Sequence, residues 1–354
     1  MLPIRSLFVA AMAVIALQLT AVSLHAGSAD GRLDFYFIDV EGGAATLIVT
    51  PTGESILIDS GYPDNQGRDL NRILHVVRNV AELKGIDHAA VTHWHRDHYG
   101  NHAALAAEIK IGDFYDRGIP DTLADDPEFA ARIADYRRAA QNQSRTLHAG
   151  DSFDLESPLT PLNIRVATAD RQVMPNTGRP NPYADRNVPQ AEDKSDNAAS
   201  LSLLITFGRF KFLCCGDLTW NVEGQLVTPN NPLGQVDLFM VTHHGLEVSN
   251  NPALVLAIDP VVAVMCNGPT KGGHAQTQAT LREVKSLKAL YQLHRNVALT
   301  ADQQTPAEFI ANSGDTAGCE GVWVKASVAA DGNSYTVQIG EKGEPKTYQT
   351  RKEG

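Results

Sequence analysis

Three imidazoles and a carboxylate fall within one short run, Thr92-His93-Trp94-His95-Arg96-Asp97-His98. In extended backbone, residues i and i+2 share a face, so His93 and His95 can hold one ion together. The turn that follows swings Asp97 and His98 toward a second position. Nitrogen-rich ligation with a carboxylate suits zinc and, with less selectivity, manganese or iron. Two later segments carry matching chemistry. Phe212-Leu213-Cys214-Cys215-Gly216-Asp217 is an apolar run ending in a carboxylate placed to bridge two cations, and Val241-Thr242-His243-His244-Gly245 runs into a histidine pair. In Leu57-Ile58-Asp59-Ser60-Gly61 the acid either orients a ligating imidazole through its other ring nitrogen or forms a turn.

The elements that must position these groups are legible in the hydrophobic pattern. Leu33 to Asp39 alternates with period two, and Thr46-Leu47-Ile48-Val49 and Ser55 to Asp59 follow across Gly/Pro punctuation, which predicts an antiparallel meander. Leu70, Ile73, Leu74, Val77, Val80 and Ala81 form the stripe of an amphipathic helix, and His88 to Thr92 is a strand ending at the histidine cluster. A second helix is predicted over 128–143. The later half repeats the order: a hairpin of 200–206 and 210–215 around Gly208-Arg209, buried strands at 237–241 and 261–265, a helix over 277–290, then Tyr291-Gln292-Leu293-His294. Two halves of strands followed by helices predict two sheets packed face to face with helices outside, within one domain over 30–354. Residues 171–197, with Pro175, Pro180, Pro182 and Pro189, are a long irregular loop, either a lid or a tolerated insertion.

Composition bounds the function. The chain has 354 residues, 30 Lys and Arg against 41 Asp and Glu, and a formal charge of −11. That balance excludes a broadly basic surface for coating nucleic acid. Residues 1–29 read as a signal peptide: Arg5, an apolar stretch from Leu7 to Leu17, and small residues at Ala26-Gly27-Ser28-Ala29. The expected protein is exported, periplasmic or secreted, with no later span long enough to cross a bilayer. Cys214, Cys215, Cys266 and Cys319 read as buried free thiols, with a bridge open only to Cys266.

These motifs together resemble the metallo-β-lactamase superfamily, through Ile58-Asp59-Ser60-Gly61, His93-x-His95-x-Asp97-His98, Gly216-Asp217 and His243-His244-Gly245. Within it the chain looks most like the hydrolase domain of ComEC-type DNA-uptake proteins, through Phe37-Ile38-Asp39-Val40-Glu41-Gly42-Gly43-Ala44 and Asp196-Asn197-Ala198-Ala199-Ser200-Leu201. The resemblance implies an αββα sandwich with a dinuclear centre along one edge, His93 and His95 on the first ion, Asp97 and His98 on the second, and Asp217 between them. It departs from the family pattern in three places. No histidine stands where the first ion's third imidazole should fall, at Ala167-Thr168-Ala169-Asp170, so Asp170, His243 or water is expected there. Ala44 replaces an acid. The second ion's last ligand is expected from His274, with His294 as the alternative, while His148 reads as a loop residue.

The chemistry expected of such a site is hydrolysis by a water activated between two divalent ions, probed first as Zn2+. Asp97 orients the water, and His244, if it is the non-ligating member of its pair, protonates the leaving oxygen. A phosphodiester-type substrate is expected, small and anionic, with no protein partner legible. The alternatives are a lactonase or β-lactamase, and a non-catalytic metal-containing binding protein.

Overall fold

The computed structural model describes residues 31–63, 65–314 and 317–352, so the segment read as a signal peptide lies outside the described residues. Among those described, no helix is long and apolar enough to cross a membrane. Two large mixed sheets face each other. The first runs, in spatial order, Lys346–Gln349, Ser334–Ile339, Val324–Val328, Leu33–Phe37, Thr46–Val49, Ser55–Ile58, Gly85–Ala90, Lys110–Asp116 and Arg145–Thr146. The second runs Ile310–Asn312, Ala289–His294, Val262–Met265, Leu238–Met240, Phe210–Cys214, Ser202–Phe207, Leu162–Ala169 and Ser152–Leu155.

Alternation builds the layers. Leu33, Phe35 and Phe37 point between the sheets, where Phe35 meets Phe212 of the opposite sheet with ring centroids 4.7 Å apart. Tyr36 and Ile38 point the other way, beneath Ile73, Leu74 and Val77 of the helical segment that covers this face. On the far side Leu204, Leu213 and Phe239 pack under the helices Trp220–Val227 and Pro252–Ile258. Strands buried on both faces require covering on both sides, and the result is the αββα sandwich.

The departures from expectation lie at boundaries and in strands outside the expectations, among them Lys110–Asp116, Ser152–Leu155 and Leu162–Ala169. The helix expected over 277–290 is Ala275–Arg282, and Ala289 and Leu290 open the strand Ala289–His294 instead. Lys288 N–H already donates to Val261 O at 2.8 Å, so the parallel ladder claims residues whose apolar spacing also fits a helix. The helix expected over 128–143 is Phe129–Ala139, and it ends where Gln141 and Asn142 take positive φ. The amphipathic stripe at 70–81 forms Arg68–His75 and widens into a π-turn at Val76–Val80. The three C-terminal strands lie outside the sequence expectations, although Val324–Val328 pairs antiparallel with Leu33–Phe37 and completes the first sheet.

Parallel pairing sets up the site. Ser55–Ile58 runs parallel to Gly85–Ala90, so Asp59 and the histidine cluster leave the first sheet at one edge. Phe210–Cys214 runs parallel to Leu238–Met240, so Asp217 and His243 leave the second sheet together. The two edges are joined where Leu201 N–H donates to Thr92 O at 2.8 Å, and within the second sheet's edge His243 N–H donates to Gly216 O at 3.0 Å. Ligands gather beyond the carboxyl ends of strands in such folds.

Candidate metal centre

The Asp217 carboxylate stands between two groups of donors. On one side His98 Nε2 lies 3.2 Å and His244 Nε2 3.3 Å from Asp217 Oδ2, and both nitrogens approach Asp97 Oδ2, at 3.4 and 3.5 Å. The two imidazole nitrogens are 3.3 Å from each other. Asp97, His98, Asp217 and His244, all buried, thus offer four converging ligand atoms. Edges of about 3.3 Å belong to a tetrahedron whose centre is about 2.0 Å from each corner, which is the Zn–N and Zn–O bond length. On the other side His243 Nε2 lies 3.4 Å and His93 Nε2 3.9 Å from Asp217 Oδ2, and His95 Nδ1 lies 3.1 Å from His93 Nε2.

The outer hydrogen bonds decide which way each lone pair points. His244 Nδ1–H donates to the Cys266 carbonyl at 2.9 Å, which leaves Nε2 as the bare nitrogen. The Ser249 hydroxyl donates to Leu218 O at 2.7 Å and so accepts from His243 Nδ1–H at 3.0 Å. Thr92 Oγ1 donates to Asp59 Oδ2 at 2.8 Å and accepts from His93 Nδ1–H at 3.1 Å. Asp59 Oδ2 also takes His98 Nδ1–H at 2.8 Å, and Asp125 Oδ2 takes His95 Nε2–H at 2.8 Å. All five rings therefore turn a lone pair inward. Facing lone pairs repel unless a cation lies between them, and second partners of this kind are what hold imidazoles on metals. The donor set fits two divalent ions.

Electrostatics agrees. Burial works against the charge on His98, yet Asp217, Asp97 and Asp59 outweigh it and hold its pKa well above the ordinary value. Burial and the His98 charge push His93 well below, and burial with neighbouring cations takes His243 down to about 4. Burial opposes ionisation of Asp97 and Asp217, but the surrounding imidazoles hold both carboxyls well below the usual range. Without an ion, one proton on His98 stands in for the missing positive charge.

Local strain aims the histidine pair. His243 and His244 both sit at φ 54°, consecutive left-handed residues, at a cost of about 1–3 kcal/mol each. Asp59 is left-handed too, at φ 61°, and its other oxygen takes Thr92 N–H at 2.8 Å. Asp59→Asn is expected to weaken metal affinity about 10- to 100-fold by freeing the His98 ring, as read by chelator competition.

Several expectations are corrected. His244 is no proton donor, because its Nδ1–H is held by Cys266 O and its Nε2 faces Asp97 and Asp217. It also supplies the second group's last donor, where His274 was expected. His274 sits at the N-cap of Ala275–Arg282, half-exposed, with Nδ1 3.6 Å from Glu247. His294 pairs with Asp39 at 2.7 Å, outside the donor group of Asp97, His98, Asp217 and His244. Asp170 is 70% exposed and faces Arg117 at 3.2 Å, because left-handed φ at Asp170 and Arg171 turns the chain outward. That leaves His243 on the first group, one of the options open from sequence. His148 is a solvent-facing loop residue.

Sequence reading gave no site role to several contributors. Lys271 Nζ contacts Asp97 Oδ2 and lies 3.3 Å from the Tyr62 hydroxyl. Asp125 orients His95, and Asp196 takes the Trp94 N–H at 2.6 Å and pairs with Arg117. Lys271 stands three residues before His274 in the stretch the sequence flagged, whereas Asp125 lies in a loop with no pattern at all. The irregular segment is pinned rather than free: Arg171 donates to Asp193 O and Ser195 O, Trp220 Nε1 donates to Val188 O, and Asn197 Nδ2 comes within 3.4 Å of His243 Nε2.

Residues 38–192 match the model of the Metallo-beta-lactamase superfamily. Over that stretch the chain is similar to the superfamily. That match contains Asp59, His93, His95, Asp97 and His98 and stops before Asp217 and the His243-His244 pair, which the geometry above adds. Among solved structures the chain is similar to the metallo-β-lactamase fold protein YhfI from Bacillus subtilis, at 12% identity and TM-score 0.43, covering 74% of this chain and 96% of that one. It is similar to a hydrolase from Parabacteroides distasonis described as metal-dependent, at 14% identity and TM-score 0.39, covering 74% and 93%. It is also similar to CmlA, a diiron β-hydroxylase from Streptomyces venezuelae, at 17% identity and TM-score 0.43, covering 72% of this chain and about half, 52%, of that one. A comparison with curated proteins finds no match.

Proposed function

We propose that the protein is an exported hydrolase of phosphodiester-type substrates that works with two divalent ions, Zn2+ being the first to test. The observation that carries this reading is the inward lone pairs of His93, His95, His98, His243 and His244 around one shared carboxylate oxygen of Asp217. Two divalent ions held by these residues would supply Lewis acidity and an activated water nucleophile. Asp97, at the edge of the donor group, would orient that nucleophile.

The remaining roles fall to residues at the mouth. Lys271 Nζ, beside Asp97 and Tyr62, supplies the positive charge that receives an anionic phosphate. Burial and the nearby Asp97 charge raise the Tyr62 pKa, so its hydroxyl keeps its proton at neutral pH and can give it to the leaving oxygen. The segment 171–197 borders the entry through Asn197. The chain's charge of −11 favours a small anionic substrate over long nucleic acid. The composition of residues 1–29 supports export, which N-terminal sequencing of the mature protein from a periplasmic or secreted fraction tests.

Purified protein assayed with bis-p-nitrophenyl phosphate, nitrocefin and a homoserine lactone should turn over the phosphodiester best. Nitrocefin or lactone hydrolysis without phosphodiesterase activity would overturn the substrate class, and full metal occupancy without turnover of any of the three would mark a binding protein. Lys271→Met is expected to lower kcat/KM for the phosphodiester about 100-fold while metal content stays unchanged.

A further inference from the structure

A second convergence of metal-binding side chains lies apart from the Asp217 centre. Asp39 follows the strand Leu33–Phe37, His294 ends the strand Ala289–His294, and Cys319 precedes the strand Val324–Val328. His294 Nε2 is 2.7 Å from Asp39 Oδ1, and Cys319 Sγ is 3.4 Å from Asp39 Oδ2. One ligand atom from each residue lies within 4.8 Å of the others. We propose that Asp39, His294 and Cys319 form a separate site for a soft divalent ion of the Zn2+ class.

Three observations support it. The donor set is thiolate, imidazole and carboxylate, the three groups from which zinc sites are built, and Asn312 Oδ1 stands 3.5 Å from the sulfur. Asp39 and His294 are fully buried, and His294 Nδ1 has no hydrogen-bond partner, an orphaned buried nitrogen that calls for explanation. Cys319 is only partly buried, which leaves an entry path.

Charge also balances. Arg72 binds Asp39 Oδ2 at 2.9 Å and Glu41 at 3.1 Å, and Arg68 binds Glu41 at 2.8 Å and Asp69 at 2.6 Å. Three carboxylates against two guanidiniums leave one negative charge over, which a doubly protonated His294 cancels in the ion-free state. A divalent ion displaces that imidazole proton and the thiol proton to solvent. The added thiolate charge and the leftover carboxylate charge then equal the ion's two positive charges. Arg72 therefore does not exclude the ion, since the cluster with the ion bound carries no net charge. The loop beginning at Asp39 also meets the catalytic edge, where Ala44 N–H donates to Asp97 O at 3.0 Å.

The Asp217 centre contains no sulfur, so a sulfur signal reports this site alone. Full-length protein stripped with chelator and titrated with Co2+ should show a thiolate-to-cobalt charge-transfer band in the near ultraviolet. Cys319→Ser should abolish the band and lower bound Co2+ by one equivalent per chain, leaving the ligand-field bands of the Asp217 centre. Absence of the band in the unaltered protein, or its persistence in Cys319→Ser, would overturn the proposal. A measurement without any variant is the alkylation rate of Cys319: Zn2+ should slow it markedly, and an unchanged rate at saturating Zn2+ would count equally against the site.

Discussion

Asp217→Ala is expected to strip both ions from the centre and to lower turnover by at least about 1,000-fold, because Lewis-acid stabilisation worth several kcal/mol goes with them. Among the described residues no other single side chain stands between the two donor groups: Asp217 Oδ2 faces His98 and His244 at 3.2 and 3.3 Å and His243 and His93 at 3.4 and 3.9 Å. The substitution also leaves His98 with fewer carboxylates beside it, so the fold must be checked separately by a thermal melt. Mass-spectrometric metal analysis of dialysed protein gives the primary readout. An ion count equal to that of the unaltered protein would show that the carboxylate is not shared. Asp59→Asn and Lys271→Met are milder comparisons, one acting through metal affinity and the other through substrate charge.

Chelation should make the protein lose more stability in alkali. In the ion-free protein burial opposes the His98 charge, but Asp217, Asp97 and Asp59 raise its pKa well above the ordinary value. A group whose folded pKa is raised contributes stability fully present below its unfolded value. That stability is lost as pH rises through the folded one. Asp97 and Asp217 act in the opposite sense: their lowered pKa values contribute stability above the unfolded carboxylate range, lost as pH falls through the folded values. The ion-free protein should therefore be most stable near neutrality and melt several degrees lower as pH rises through the raised His98 pKa. The loss amounts to about 1.4 kcal/mol for each pH unit that separates the folded from the unfolded titration of the imidazole. With ions bound, His98 has no extra proton to lose, so its share of the alkaline decline should vanish. Turnover should fall on the acid side instead, as protons compete with the metal for imidazole nitrogen. Parallel melting curves of chelated and reconstituted protein against pH check both statements. Coincident curves would contradict them.

How much of this was legible in the sequence follows from the range of each interaction. The His93-to-His98 run, the Gly216-Asp217 turn and the His243-His244 pair each carry their signal within a few residues, and strand-end placement follows from the apolar runs before them. What the sequence does not encode locally is which nitrogen faces inward. The Cys266 carbonyl turns His244, and Ser249 turns His243, through contacts that exist only after the strands are stacked. His274 was expected on the second ion because it follows a plausible strand, yet residues 267–273 form a loop whose Gly272 closes on His244 and presents Lys271 instead. A Cβ at Gly272 would sit 2.1 Å from His244 O, so this loop packs directly against the histidine pair. The same limit applies to the fold. The meander and the central hairpin were plain from alternation, but Ala289 and Leu290 fit helix and strand spacing equally, and only pairing with Val262 and Ala263 decides between them.

The most direct test is a crystal structure of the protein loaded with Zn2+, with anomalous scattering recorded at the metal edge. At this centre two peaks are expected, one among His93, His95, His243 and Asp217 and one among Asp97, His98, His244 and Asp217, distinct from any peak at Asp39, His294 and Cys319. Ions found only away from Asp217, or full turnover in protein shown to hold no metal, would contradict the account.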